Sequence, residues 1–268
     1  MEIFKEASKH NNVFIHTDVL YGLKVPFSKR RSETLEHHFQ ILQNNMPDVN
    51  FFLPAYNYSC LKTGVYDVQN DPIEVGALNE YLRNKNSFNR SNCPVFSHIS
   101  NTSFNDYNLD EGKTIDPFDD KSIFHFLFHN NSYLMHYGSN FYHRSTIIHY
   151  VERISDKLLY RYDKFFPIKV KKDNKNHNII LKYHVRPKGL AFEYDFPKIE
   201  EDLKKFCNLK IFNEHRTRIL GIEITMLVKF WLEKLSDDPL YFIENKWKKT
   251  ISDKLSDIGR KFEIEDFE

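Results

Sequence analysis

The chain has 268 residues, 41% of them hydrophobic and 28% charged, and its 38 basic and 37 acidic side chains leave a net charge of +1. These totals allow a sizeable core and argue against disorder. They also argue against a dedicated nucleic-acid binder and against a strongly acidic cleft built for a polycation.

No apolar run is long enough to span a bilayer, and the opening Met1-Glu-Ile-Phe-Lys-Glu lacks the apolar stretch of a signal peptide. Cys60, Cys93 and Cys207 fit neither a zinc site nor a disulfide framework. A cytoplasmic protein with no metal, membrane or nucleic-acid partner is expected. The length suits one domain over 1–268, with 243–268 as a carboxyl-terminal helical extension.

In chain order, Asn12–Thr17 reads as a short buried strand with His16, Thr17 and Asp18 at its carboxyl end, where ligands gather in α/β folds. A basic loop follows, carrying Lys24, Lys29, Arg30 and Arg31. Residues 32–42 have helical spacing, with Leu35, Phe39 and Leu42 on one side. Val49–Pro54 is the second strand, with Tyr56, Asn57, Tyr58 and Ser59 at its end. A helix is predicted over 74–83, then an irregular segment over 90–97 leading into a strand through Ile99, and loop over 100–120. Residues 121–128 suit a helix and Ser132–Tyr137 a strand, with a turn at Gly138 and Ser139.

Strands over 165–172 and 178–185 flank the polar turn Asp173-Asn-Lys-Asn-His and form a hairpin. Helices are predicted over 199–206 and 221–235. The charged tail reads as a solvated helix, although Trp247, Ile251, Leu255 and Ile258 could make a docking stripe. No internal repeat or flexible linker is visible.

The most informative stretch is Ser145-Thr-Ile-Ile-His-Tyr-Val-Glu152. On a helix, Thr146, His149 and Glu152 share one face, because residues three apart are stacked. A hydroxyl, a base and a carboxylate in that line can take a proton from an amine and steady the group that accepts it. The competing reading is a helix with a polar surface face.

Several spaced motifs together resemble the aminoglycoside 3-N-acetyltransferase family. His16-Thr-Asp18 is similar to the family's His-Ser-Ser at the end of an early strand. Leu53-Pro-Ala-Tyr-Asn-Tyr-Ser59 is similar to Leu-Pro-Thr-Phe-Thr-Tyr-Ser, and Gly76-Ala-Leu78 to a Gly-Ala-Leu helix. Arg90-Ser-Asn-Cys-Pro-Val-Phe-Ser97 resembles Arg-Ser-x-His-Pro-x-x-Ser, with Cys93 in place of histidine. Thr146, His149 and Glu152 match Thr-x-x-His-x-x-Glu, and the stretches from Tyr194 and through Trp231-Leu-Glu are also similar.

The resemblance, over roughly 10–243, implies a three-layer α/β/α fold with a mixed central sheet and acyl transfer from acyl-coenzyme A to a primary amine. It implies His149 as base, Glu152 as its orienter, and Thr146 as a donor to the developing oxyanion or a contact to the acceptor. Coenzyme contacts are expected from Thr17, Lys24, Arg30, Arg31, Arg90, Ser91 and Ser97; a solvated basic loop and a strand-start hydroxyl are the plainer readings of Lys24–Arg31 and Ser97. Acceptor contacts are expected from His16, Tyr56, Asn57, Tyr58, Cys93 and His136, where the two histidines are either contacts or satisfied structural groups. Cys93 also raises a covalent route, set aside because the family transfers directly.

The balanced charge fits an acceptor that itself carries negative charge. The resemblance therefore leans to the branch acting on nucleotide-linked amino sugars, such as a dTDP-3-amino-3,6-dideoxyhexose for surface polysaccharide. An aminoglycoside acetyltransferase and a non-catalytic binding module are the alternatives. Nothing in the sequence excludes a homo-oligomer.

Overall fold

The computed structural model describes residues 1–26, 28–104, 107–139 and 145–268. A seven-stranded mixed sheet forms its middle. Three parallel strands lie at its centre: β1 (Asn12–Thr17) between β2 (Asn50–Pro54) and β7 (Ser132–Tyr137). Beyond β2 run the antiparallel β5 (His98–Ser100) and β4 (Asn89–Arg90), and beyond β7 the antiparallel hairpin β11 (Thr217–Glu223) and β10 (Lys210–Glu214). Every residue of β1 and β7 is buried, so both faces of the sheet are covered.

The pleat divides the strand residues between two cores. Val13, Ile15, Phe51, Leu53, Tyr133 and Met135 pack with helices α1 (Glu2–Ala7), α2 (Arg31–Asn45) and α4 (Ala77–Arg83). Phe14, Phe52 and Leu134 pack on the other face with α5 (Ile123–His129), α6 (Ile147–Ile154) and α8 (Ile224–Asp237). His16 and His136 share the parity of Phe14 and Leu134, so they face the layer that contains α6.

A second, four-stranded sheet flanks that layer, in the order β3 (Val65–Asp67), β8 (Tyr162–Lys172), β9 (Lys175–Val185) and β6 (Thr114–Ile115). The three-layer mixed α/β arrangement expected from the family resemblance is the one observed. Among the described residues, no helix is long and apolar enough to cross a membrane.

Four local expectations change. The hairpin turn is two residues, not five: Lys172 pairs with Lys175, and Asp173 and Asn174 take φ of 49° and 60°. Two consecutive left-handed residues twist the chain the way the strands twist, and Asp and Asn tolerate that conformation. Gly221, Ile222 and Glu223 end a strand rather than begin a helix. Gly221 has no side chain because the Tyr133 ring lies against its α-carbon. The helix over 199–206 begins earlier, as α7 (Phe196–Phe206), where Asp195 accepts from the Lys198 N–H and Pro197 occupies the first turn. Short elements α1, β3 and the helical turn α3 (Cys60–Thr63) also add to the expected set.

The fourth change concerns the tail. Helix α9 (Asn245–Ile258) is not free in solvent: Ile251 is fully buried, and Trp247, Leu255 and Ile258 pack on the main core. The charged residues between them hide the stripe from a reading of composition. Replacing Ile251 with Ala should cost about 2–5 kcal/mol, the usual cost of emptying a buried aliphatic site. Urea unfolding measures it, and a change within about 0.5 kcal/mol would return the tail to the solvated class.

Candidate active site

Helix α6 begins at Thr146, whose backbone is helical but whose hydroxyl makes no cap hydrogen bond. That hydroxyl is therefore not used by the helix terminus. It faces the Tyr56 hydroxyl, which burial and Thr146 influence together, although the pair falls short of a well-formed hydrogen bond. His149 follows one turn on, with 27% of its side chain exposed, and Glu152 a turn later, fully buried. The face is thus no polar surface: it runs from a partly open imidazole to a carboxylate in the core.

Four groups hold that carboxylate. His149 Nδ1 lies 2.9 Å from Glu152 Oε2. Arg161 Nε forms an ion pair with the same oxygen at 2.9 Å. Tyr160 and Tyr194 donate their hydroxyls to Oε1 at 2.9 and 2.6 Å. Arg161 also donates to the Tyr194 hydroxyl and, at 3.2 Å, to the His184 carbonyl.

Burial works to raise the Glu152 pKa, but the Arg161 charge and the His149 hydrogen bond override it and hold the carboxyl well below its usual range. Glu152 is thus ionised and can only accept. Nδ1 of His149 must then carry the proton between them, which leaves Nε2 with the free lone pair. Burial also lowers the His149 pKa, Glu152 opposes that, and Arg161 adds to it; the net direction is down. The ring is therefore a neutral base at pH 7.

An aromatic wall leads away from this base. Phe118 meets His149 edge-on at 6.0 Å, Phe96 meets Phe118 at 4.9 Å, and Tyr56, Tyr58 and Tyr183 surround Phe96 at 5.3, 6.2 and 5.3 Å. Tyr58 is 41% exposed, which leaves its ring available at the rim.

The other expected residues divide by what already occupies them. His136 has Ser139 Oγ at Nδ1 and Ser145 Oγ at Nε2, at 3.0 and 3.1 Å, and stacks on His16 at 4.8 Å. Both ring nitrogens of His136 thus already meet hydroxyl groups. Asn57 is buried too, and its amide oxygen accepts from the Cys60 N–H at 2.9 Å. Cys93 is buried, with its thiol 3.5 Å from the Pro94 carbonyl oxygen.

Among the expected coenzyme residues, Ser97 is already engaged within the protein. It is fully buried and its hydroxyl closes on the Ala55 carbonyl. Arg90 is engaged as well: its guanidinium donates to Ser97 Oγ, the Asp71 carbonyl and the Ala55 carbonyl at 3.2, 2.5 and 2.6 Å. It braces the chain around β2 and β5. Ser91 is buried and accepts from the His98 N–H at 3.0 Å. Thr17 is buried and donates to Asn79 Oδ1 at 2.7 Å. Lys24, Arg30 and Arg31 are exposed, with only a loose 3.8 Å pairing of Arg30 to Glu33.

A wide groove of about 2020 Å³ is bordered by Arg90, Ser91, His98, Lys121, His125 and Lys175, among others, but His149, Glu152 and Thr146 are not part of its lining. At His149 the surrounding donors and acceptors are built around one lone pair, whereas the groove is chiefly an open polar surface. Among the described residues, no group of three or more His, Cys, Asp or Glu is placed to hold a metal.

The sequence reading does not anticipate Tyr160, Arg161 or Arg186, nor the role of Tyr194. One signal was present: Arg161 stands in the run Leu158-Leu-Tyr-Arg-Tyr162. A cation among apolar residues needs a buried carboxylate.

The family model for aminoglycoside 3-N-acetyltransferase matches residues 40–236. The chain belongs to that family. It is an N-acetyltransferase, with acyl-coenzyme A as co-substrate. Solved structures share its fold. The YokD protein from Bacillus subtilis matches at TM-score 0.64 and 14% identity, covering 88% of this chain and 94% of that one. The binary complex of AAC-IIIb with CoASH gives TM-score 0.66 and 15% identity, over 88% and 95%. Sisomicin-bound AAC-VIa gives 0.65 and 15%, over 88% and 97%. No curated protein matches the chain.

Two measurements test the electrostatics. The lowered His149 pKa places its base form above a midpoint below the ordinary value of about 6.5, so kcat/KM should rise with pH through a midpoint under about 6.5. A midpoint above that value contradicts it. For stability, Glu152 has a folded pKa below its unfolded value of about 4.3, so its contribution is present above that pH and is lost as pH falls through the folded value. Arg161→Met should cost about 3–5 kcal/mol at pH 7 by leaving a buried charge unpaired. The deficit should narrow on acidification, and an equal deficit at every pH would show a packing effect alone.

Proposed function

We propose that this acetyltransferase moves its acyl group directly to the primary amine of an amino sugar, with His149 as general base. The observation that carries this reading is the 2.9 Å contact between His149 Nδ1 and an ionised Glu152. Acyl-coenzyme A supplies a thioester carbonyl and a thiolate leaving group. His149 Nε2 takes the proton from the attacking nitrogen, and Glu152 offsets the positive charge that the ring gains. Thr146, free of capping duty and next to the base, donates to the negative charge growing on the acyl oxygen. Tyr56 stands where the family motif has phenylalanine, and it is buried in the wall beside Phe96.

For the coenzyme, the exposed cations Lys24, Lys29, Arg30 and Arg31 suit phosphate groups. Cys93, expected among the acceptor contacts, is given no chemical step of its own.

The preferred acceptor is a nucleotide-linked amino sugar, of which a dTDP-3-amino-3,6-dideoxyhexose is one example, as used for surface polysaccharide. Supporting this, the charges beside His149 carry no acidic excess: Glu152 is paired with the buried Arg161, and the partly exposed Arg186 is paired loosely with Glu193 at 4.0 Å. A polycation gains nothing from that balance, whereas an anion does. The exposed Tyr58 ring offers a face for a base. The second reading is aminoglycoside acylation, favoured by the family's description and the sisomicin-bound neighbour.

Mass spectrometry of products from a panel of nucleotide amino sugars and aminoglycosides, with acetyl- and 3-hydroxybutanoyl-coenzyme A, separates the two readings. Product from the nucleotide sugars alone supports the first, and product from kanamycin-type amines alone reverses it. His149→Asn should lower kcat by about 10²–10⁴-fold with coenzyme affinity nearly intact, the range expected when a positioned base is lost. Near-normal turnover would remove His149 from the mechanism.

A further inference from the structure

Arg186 follows the end of β9 and belongs to none of the motifs that mark the family. Its guanidinium lies 4.8 Å from the ring centroids of both Phe192 and Tyr194. It donates to the Phe192 carbonyl at 3.0 Å. Those contacts hold the group in place, yet its side chain is 40% exposed. Its carboxylate neighbour, Glu193, is 4.0 Å away and 66% exposed. A pair of that kind is worth little in water and yields readily to a better anion.

The position matters as much as the freedom. Tyr194 carries Arg186 on its ring, donates its hydroxyl to Glu152 and has its ring centroid 6.2 Å from that of His149. Arg186, partly exposed, therefore stands one aromatic ring from the His149 imidazole. The buried Arg161 is spent on Glu152, Tyr194 and His184. Arg186 is the partly exposed guanidinium acting on His149 that is not spent this way. A stacked guanidinium with its edge open is well suited to phosphate, which it can meet with two parallel N–H bonds.

We propose that Arg186 determines acceptor specificity by binding a phosphate group carried by the amine acceptor, one sugar ring away from the nitrogen that His149 deprotonates. The proposal rests on the reading of the protein as an amino-sugar N-acyltransferase and adds the residue that selects for a phosphorylated sugar. The same contact repels a polycationic acceptor, whose ammonium groups would enter beside a fixed positive charge.

The test uses the full chain with acetyl-coenzyme A, and follows thiol release with three acceptors: a nucleotide-linked amino sugar, its unphosphorylated amino sugar, and a kanamycin-type polyamine. Arg186→Gln and Arg186→Glu should lower selectivity for the phosphorylated over the unphosphorylated acceptor by tenfold or more, through acceptor KM rather than kcat. Arg186→Lys should keep most of the selectivity, because it keeps the charge. Arg186→Glu should also improve the polyamine relative to the nucleotide sugar. Equal losses on both sugars would make Arg186 a structural brace and overturn the proposal. A rise confined to the KM of acetyl-coenzyme A would assign the anion to the coenzyme and overturn it too. If the wild-type protein acylates no amine, the underlying function fails. If it acylates amines but the variants keep their selectivity, the function stands and the role of Arg186 falls.

Discussion

The site depends on one buried ion pair, Arg161 with Glu152. A carboxylate with no exposure would ordinarily take up a proton rather than stay charged in the core. Arg161 prevents this, and the two tyrosine hydroxyls fill the remaining acceptor positions. Because the carboxylate stays ionised, it dictates which nitrogen of His149 carries the hydrogen. The base on the open side of the ring is thus set from the core outward. The desolvation cost is offset only while every lone pair is met, so the four partners act as a unit.

The elements supplying those partners come from distant parts of the chain. His149 and Glu152 lie on α6, Tyr160 and Arg161 on the approach to β8, and Tyr194 on the segment that bridges to Ile243. Their convergence follows from the second sheet packing against the α6 layer, with Tyr160, Tyr162, Ile168 and Val170 in the same core as Ile147 and Val151. The docked α9 closes that core from outside through Ile251. The tail thus packs on the same core as the helix that carries His149.

Much of this was legible in the residues. β1, β2 and β7 announced themselves by short apolar centres at residues 13–15, 51–53 and 133–135, as strands buried on both faces do. The i, i+3 spacing of His149 and Glu152 needed only a helix to bring them together. The partners of Glu152 were hidden because nothing local links Tyr194 to a carboxylate 42 positions away. The structural duty of Arg90 and Ser97 was hidden for a different reason: a motif arginine and serine look like ligand donors, and nothing local shows that carbonyls freed at the irregular end of β2 require donors too. The β10–β11 hairpin was missed because a glycine within a short strand weakens the alternation, and only the Tyr133 ring explains why it is there.

The position of one hydrogen decides the account. Nitrogen-15 NMR of histidine-labelled protein at pH 7, with the His149 signals assigned by their loss in His149→Asn, reads the tautomer directly. The account requires a neutral ring protonated at Nδ1 and bare at Nε2. A ring protonated at Nε2, or at both nitrogens, would contradict it.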